Sequence, residues 1–193
     1  MKAVFISDAH LDGSPCDGYQ YLMRFLDSIR GDTDELFIVG DFFDFWFSDK
    51  NRVYPGFHNI IGKLLEIQKA GTRISLFEGN HDFFLGNYFA QYGIKIYPDS
   101  ATIDLDGKKL FVSHGDTVDE SNKTYLFLRR VLRSRLFYAL QKTIPSVFLW
   151  YVSSIFSRIS RNWKVWEKSS NPLPLMMSAF AMGKFEQGFD AVV

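Results

Sequence analysis

The sequence predicts a layered α/β fold with mixed strands, on three observations. Short apolar runs alternate with segments of helical periodicity over the first 120 residues. The helical segments close on glycine, and the polar clusters fall directly after apolar runs.

Val4-Phe5-Ile6 reads as the first strand and runs into Asp8-Ala9-His10. Tyr19 to Ile29 places Tyr21, Leu22, Phe25, Leu26 and Ile29 at helical spacing and closes at Gly31. Phe37-Ile38-Val39 is the second strand and leads into Gly40-Asp41. A helix over Phe57 to Ala70, apolar at Ile60, Ile61, Leu64, Leu65 and Ile67, ends at Gly71. The strand at 73–77 precedes Gly79-Asn80-His81-Asp82, and a short helix from Phe83 to Tyr92 closes at Gly93. Thr102 to Val112 reads as a hairpin, because Asp106-Gly107 supplies the positive φ of a tight two-residue turn. His114-Gly115-Asp116 follows it. From Ser121 the chain reads as two helices, Tyr125 to Thr143 and Ser146 to Lys168, separated by Ile144-Pro145. The expected organisation is one domain over 1–193 with a helical cap insertion at about 121–170.

Composition excludes several classes. The single cysteine, Cys16, rules out a disulfide framework and a Cys-based zinc site, and suits a reducing compartment. The N-terminus enters a strand with no apolar stretch and cleavage site, so a cytoplasmic protein is expected. No Gly-x-Gly-x-x-Gly or Walker sequence is present. The formal net charge of zero hides a division. Residues 121–168 hold ten Lys/Arg against one acid, and the rest holds twelve basic and twenty-one acidic residues. Such a segment reads either as an amphipathic helical pair packed on the core with a solvated basic face, or as a cap that meets an anionic amphiphile or membrane surface. Its apolar stretch, Ile144 to Phe156, is too short to span a bilayer, and its greasiness argues against a nucleic-acid surface.

Asp8, His10, Asp41, Asn80 and His114 are oxygen and nitrogen donors at strand ends, where α/β folds place their sites. The set holds no sulfur, which favours Mn²⁺, Fe²⁺ or Zn²⁺. Asp41 has two carboxylate oxygens and can bridge two cations in two-metal hydrolysis. His81 is read as a proton donor or charge stabiliser, with Asp82 orienting its ring. A lone Asp after a strand is ordinarily a cap, and a lone His an ordinary surface or core residue. Four clusters in this order, holding three of the four histidines, are not explained that way. His58 is read as an ordinary helix residue, and Asp12 and Asp44 are assigned no direct role.

Asp-x-His, Gly-Asp, Gly-Asn-His-Asp and His-Gly-Asp in this order resemble the calcineurin-like metallophosphoesterases, over roughly residues 1–120. The resemblance implies a β-sandwich flanked by helices with a centre of two divalent cations, Mn²⁺ first. Asp8 and His10 would hold one metal, Asp41 would bridge, Asn80 and His114 would hold the other, and His81 and Asp82 would be catalytic. Ile6 to Leu11, Gly40 to Trp46, His114 to Thr117 and the basic helical insertion are similar to the branch that cleaves UDP-2,3-diacylglucosamine in lipid A synthesis. That likeness implies an anionic acylated nucleotide-sugar as substrate, and a peripheral place on the inner face of the bacterial inner membrane. Asn80, Tyr125, Arg158, Ser160 and Lys164 would contact the substrate. Alternatives of the same fold are a phosphoesterase acting on nucleotides or other phosphodiesters, and a binding module without turnover. The chain departs from the branch at His81, where arginine is usual, and at Asn122, where an acid is common. The family's closing Gly-His-x-His motif is absent, and Phe189 to Val193 reads as the strand before it, so a truncated C-terminus is expected.

Overall fold

Three apolar runs of the N-terminal half, with one short strand that their pattern does not announce, make a single parallel sheet. The computed structural model describes residues 1–48, 52–145, 147–152 and 173–193. The chain divides into two units, Met1–Asp99 and Ser100–Val193.

In the first unit β1 (Ala3–Ile6), β2 (Glu35–Val39), β3 (Arg73–Phe77) and β4 (Lys95–Tyr97) pair in that order, all parallel. Parallel neighbours need long crossovers. These are α1 (Asp17–Ile29), α2 (His58–Lys69) behind a 3-10 turn at Pro55–Phe57, and α3 (Gly86–Phe89) with a 3-10 turn at Ala90–Tyr92. Leu36 to Val39 and Ile74, Leu76 and Phe77 are buried, the near-continuous apolar character of a strand covered on both faces. Leu26 and Ile29 of α1 and Ile60, Ile61, Leu64 and Ile67 of α2 are buried with them. Each such side chain contributes about 1.5–3 kcal/mol. Because the strands are parallel and in register, the segments that follow β1, β2 and β3 leave from one edge.

Helix closure at Gly31, Gly71 and Gly93 holds, each glycine at positive φ. The helix expected from Phe83 begins only at Gly86. Phe84 is left-handed, at φ 62°, and the Leu85 amide donates to the buried Glu78 carboxylate at 2.9 Å.

In the second unit β5 (Ser100–Leu105) and β6 (Lys108–Ser113) form the expected hairpin, with Asp106 and Gly107 both at positive φ. β7 (Ala191–Val192) adds parallel to β6, so the terminal run is a strand. The single helix expected over Tyr125 to Thr143 is two, α4 (Lys123–Leu132) and α5 (Arg135–Gln141). The break is made by Ser134, whose hydroxyl accepts the Phe137 amide at 3.1 Å and caps α5. Of the helix expected over 146–168, residues 147–152 are helical (α6) and 153–168 lie outside the described residues. α7 (Leu173–Glu186) is a helix that periodicity does not reveal, because it is apolar on every side. Among the described residues no helix is long and apolar enough to cross a membrane.

Candidate metal centre

The segment after β1 runs alongside the segment after β2. Asp8 N–H donates to Gly40 O at 3.2 Å, His10 N–H to Asp41 O at 2.9 Å and Leu11 N–H to Phe42 O at 3.0 Å. Asp44 N–H returns to Leu11 O at 2.9 Å. These bonds impose an unusual backbone. Asp8, His10 and Asp41 all have left-handed φ, at 54°, 45° and 48°. An L residue there costs about 1–3 kcal/mol, and such strain collects at functional sites.

Asp82 holds the segments after β2 and β3 together. Its Oδ1 accepts N–H from Asp41 at 3.0 Å and Gly79 at 2.9 Å, and its Oδ2 from Phe42 at 2.8 Å and Phe43 at 3.1 Å. The side chain is wholly buried, and that burial pushes its carboxyl up to about 7 against the pull of the N–H groups. Asp41's charge adds to the rise. Both oxygens are engaged twice, so the ionised form is the one that fits all four donors. Behind this hub Phe43 packs on Trp46, with ring centroids 4.6 Å apart, and on Phe57 at 4.7 Å.

Gly79 lies so close to Asp41 that a Cβ there would stand 2.1 Å from its Oδ1. Only a glycine leaves room for the carboxylate, whose Oδ1 accepts the His81 amide at 2.9 Å. The other oxygen, Oδ2, is 3.7 Å from His10 Nε2, which is 3.9 Å from Asp8 Oδ1. Two donors on one cation, each at about 2.0–2.2 Å, stand no more than about 4.4 Å apart, so the His10–Asp41 and His10–Asp8 separations are each short enough for a shared ion. One ligand atom each from His10, Asp41 and His81 also lie within 4.8 Å of one another.

The imidazoles of His10 and His81 meet edge to face, with centroids 5.0 Å apart. The buried Asp44 carboxylate serves both: its Oδ1 is 3.3 Å from His10 Nδ1 and 3.6 Å from His81 Nδ1. His81 Nδ1 is also 3.0 Å from the Asp44 carbonyl oxygen. The expected ring partner of His81 was Asp82; it is Asp44, because Asp82 turns to the backbone. Asp44 is thus a partner of both rings that sequence reasoning did not assign. Its signal was a carboxylate inside Phe42-Phe43-Asp44-Phe45-Trp46, a run that buries its neighbours and so requires the acid to have partners. Asp12 accepts the Ser14 amide in a local turn, and His58 is exposed at the start of α2.

Asn80 is half-buried directly before His81. His114 stands in the second unit, directly after β6. Also in that unit, Tyr125 donates its hydroxyl to Asp116 at 2.6 Å. Asn122, the departure from the branch pattern, caps α4 by accepting the Tyr125 amide at 3.0 Å. Arg158, Ser160 and Lys164 lie outside the described residues.

Residues 1–174 match the family described as calcineurin-like phosphoesterase. Curated relatives carry the name UDP-2,3-diacylglucosamine hydrolase. That of Pseudomonas paraeruginosa is 36% identical over 138 residues, 70% of this chain and 57% of its own length. Those of Porphyromonas gingivalis and Neisseria gonorrhoeae are 34% and 32% identical, over 82% and 89% of this chain and 64% and 70% of their own. The chain therefore spans a little over half the length of the Pseudomonas relative.

Proposed function

The chain belongs to the calcineurin-like phosphoesterase family, and from that premise we propose that it hydrolyses the pyrophosphate bond of UDP-2,3-diacylglucosamine. The products are UMP and 2,3-diacylglucosamine 1-phosphate. The observation that carries hydrolysis is the cluster of Asp8, His10 and Asp41 on left-handed backbone at one edge of the sheet. The names of the relatives support the substrate.

In this reading Asp8, His10, Asp41 and Asn80 would hold two divalent cations. His114 joins on the strength of its sequence motif. Bound cations, with Mn²⁺ first, supply charge neutralisation for the phosphoryl group and lower the pKa of a water. Asp44 fixes the His10 ring so that Nε2 faces the carboxylates, the arrangement by which a carboxylate tunes a ligand histidine. The same residue accepts from His81 Nδ1 through its carbonyl and leaves Nε2 to carry a proton toward the leaving oxygen.

An anionic acylated substrate is supported by α4, where exposed Phe127, Leu128 and Val131 stand among Lys123 and Arg130. Tyr125, Arg158, Ser160 and Lys164 are proposed contacts on that side. The same greasy basic surface suits peripheral attachment to the inner face of the bacterial inner membrane.

The test is UMP release in Mn²⁺ from UDP-2,3-diacylglucosamine, beside a UDP-sugar without acyl chains and a simple nucleotide phosphodiester. Preference for the acylated substrate is expected. Equal turnover of all three would move the reading to a general nucleotide phosphoesterase. Metal binding with no turnover would leave a binding module.

A further inference from the structure

The segment that carries His114 is gripped from several elements of its own unit. Ser113 N–H donates to Val193 O at 2.8 Å, at the end of β7. Gly115 has φ 86°, and a Cβ there would lie 3.1 Å from Met177 Cε of α7. Asp116 supplies the third hold. Its Oδ2 accepts both the Tyr125 hydroxyl at 2.6 Å and Arg129 Nε at 2.7 Å. The Asp116 and Arg129 side chains are only 9% and 16% exposed, so this pair is largely shielded from water and screening.

Tyr125 and Arg129 are four residues apart on α4 and so share one face of it. Phe127, Leu128 and Val131 leave the helix exposed. One carboxylate, two residues beyond His114, therefore receives the inward face of the helix whose remainder is basic and apolar.

We propose that Asp116 is a positioning residue that locks α4 to the His114 turn, so that the two keep one arrangement and the metal affinity of the chain depends on the tie. The inference rests on the proposed centre, with His114 among its ligands. A residue that orients a ligand from behind typically changes metal affinity by about 10–100-fold when lost. The surroundings of Asp116 meet that description: two charge-assisted bonds to one oxygen, and a left-handed glycine between it and the histidine.

The experiment measures Mn²⁺ affinity calorimetrically at low temperature on the full chain, with hydrogen exchange over residues 113–132. The variants are Asp116→Asn, Tyr125→Phe, Arg129→Gln and His114→Ala. Asp116→Asn is expected to weaken Mn²⁺ binding about tenfold, no more than His114→Ala does, and to speed exchange in both the 113–118 turn and α4. Tyr125→Phe and Arg129→Gln each remove one donor and should give a smaller loss, which keeps the test open if Asp116→Asn does not fold. A folded Asp116→Asn that binds Mn²⁺ within twofold of the wild type would overturn the proposal, as would loosening of α4 alone. An unchanged affinity in His114→Ala would overturn it and leave the rest of the centre standing. A wild-type chain that binds no Mn²⁺ would overturn both the centre and the tie.

Discussion

Asp44 sets its carboxylate 3.3 Å from His10 Nδ1 while its own amide is bound to Leu11 O, one residue beyond that histidine. The acid is therefore fixed by the very segment whose ring it approaches. Asp44→Asn keeps the shape and removes the charge, and should weaken Mn²⁺ binding by about 10–100-fold. Calorimetric titration beside a thermal melt would separate this loss from simple unfolding.

Asp82→Asn tests the hub between the segments after β2 and β3. Asparagine offers one oxygen where the carboxylate offers two, so its NH₂ would face two backbone donors. Loss of two bonds to a charged acceptor should cost about 3 kcal/mol of stability, read from the urea midpoint with the slope unchanged.

Gly79→Ala has no room to be mild. Its Cβ would overlap Asp41 Oδ1 and stand 2.4 Å from Asp41 N, so the Asp41 carboxylate must move. Mn²⁺ affinity should fall at least about tenfold, measured by titration of the folded variant. Gly62→Ala, where a Cβ meets nothing within 4 Å, is the matched control and should bind Mn²⁺ as the wild type does.

Asp190 gives a pH prediction. Lys109 N–H, at 2.8 Å, and then Lys108 Nζ, at 3.2 Å, hold its carboxyl below the ordinary value of 3.8. A folded-state value below the unfolded one means that the stabilisation is present above the unfolded pKa and is lost as pH falls through the folded one. A melting-temperature series from pH 6 to pH 2 should show Asp190→Asn losing part of the acid dependence of the wild type below about pH 4.

Much of the first unit was legible because its strands are buried on both faces and its helices are amphipathic. Leu36 to Val39 announces itself as an unbroken apolar run, and Ile74 to Phe77 as one interrupted only by Ser75. The clusters after them could be placed on one edge once the strands were taken as parallel. β4 was not legible, since Lys95-Ile96-Tyr97 is three residues long with an exposed start. The ring partner of His81 was misplaced for a physical reason. Sequence adjacency favours Asp82 as the partner of His81, but the turn points its carboxylate back at four amides. The break between α4 and α5 was hidden by helical periodicity that continues through Ser134, where a single hydroxyl decides the boundary.

The parallel sheet has a consequence for how the centre comes into being. Ala3 pairs with Glu35, and Glu35 with Arg73, so the first three strands wait for partners more than thirty residues away. Contacts of that separation form late and slowly, after loop closure has been overcome. His10, Asp41 and His81 have no local route to one another, and they meet only when three strands have aligned. In refolding, recovery of Mn²⁺ binding should therefore trail far-ultraviolet helix signal and coincide with completion of the sheet.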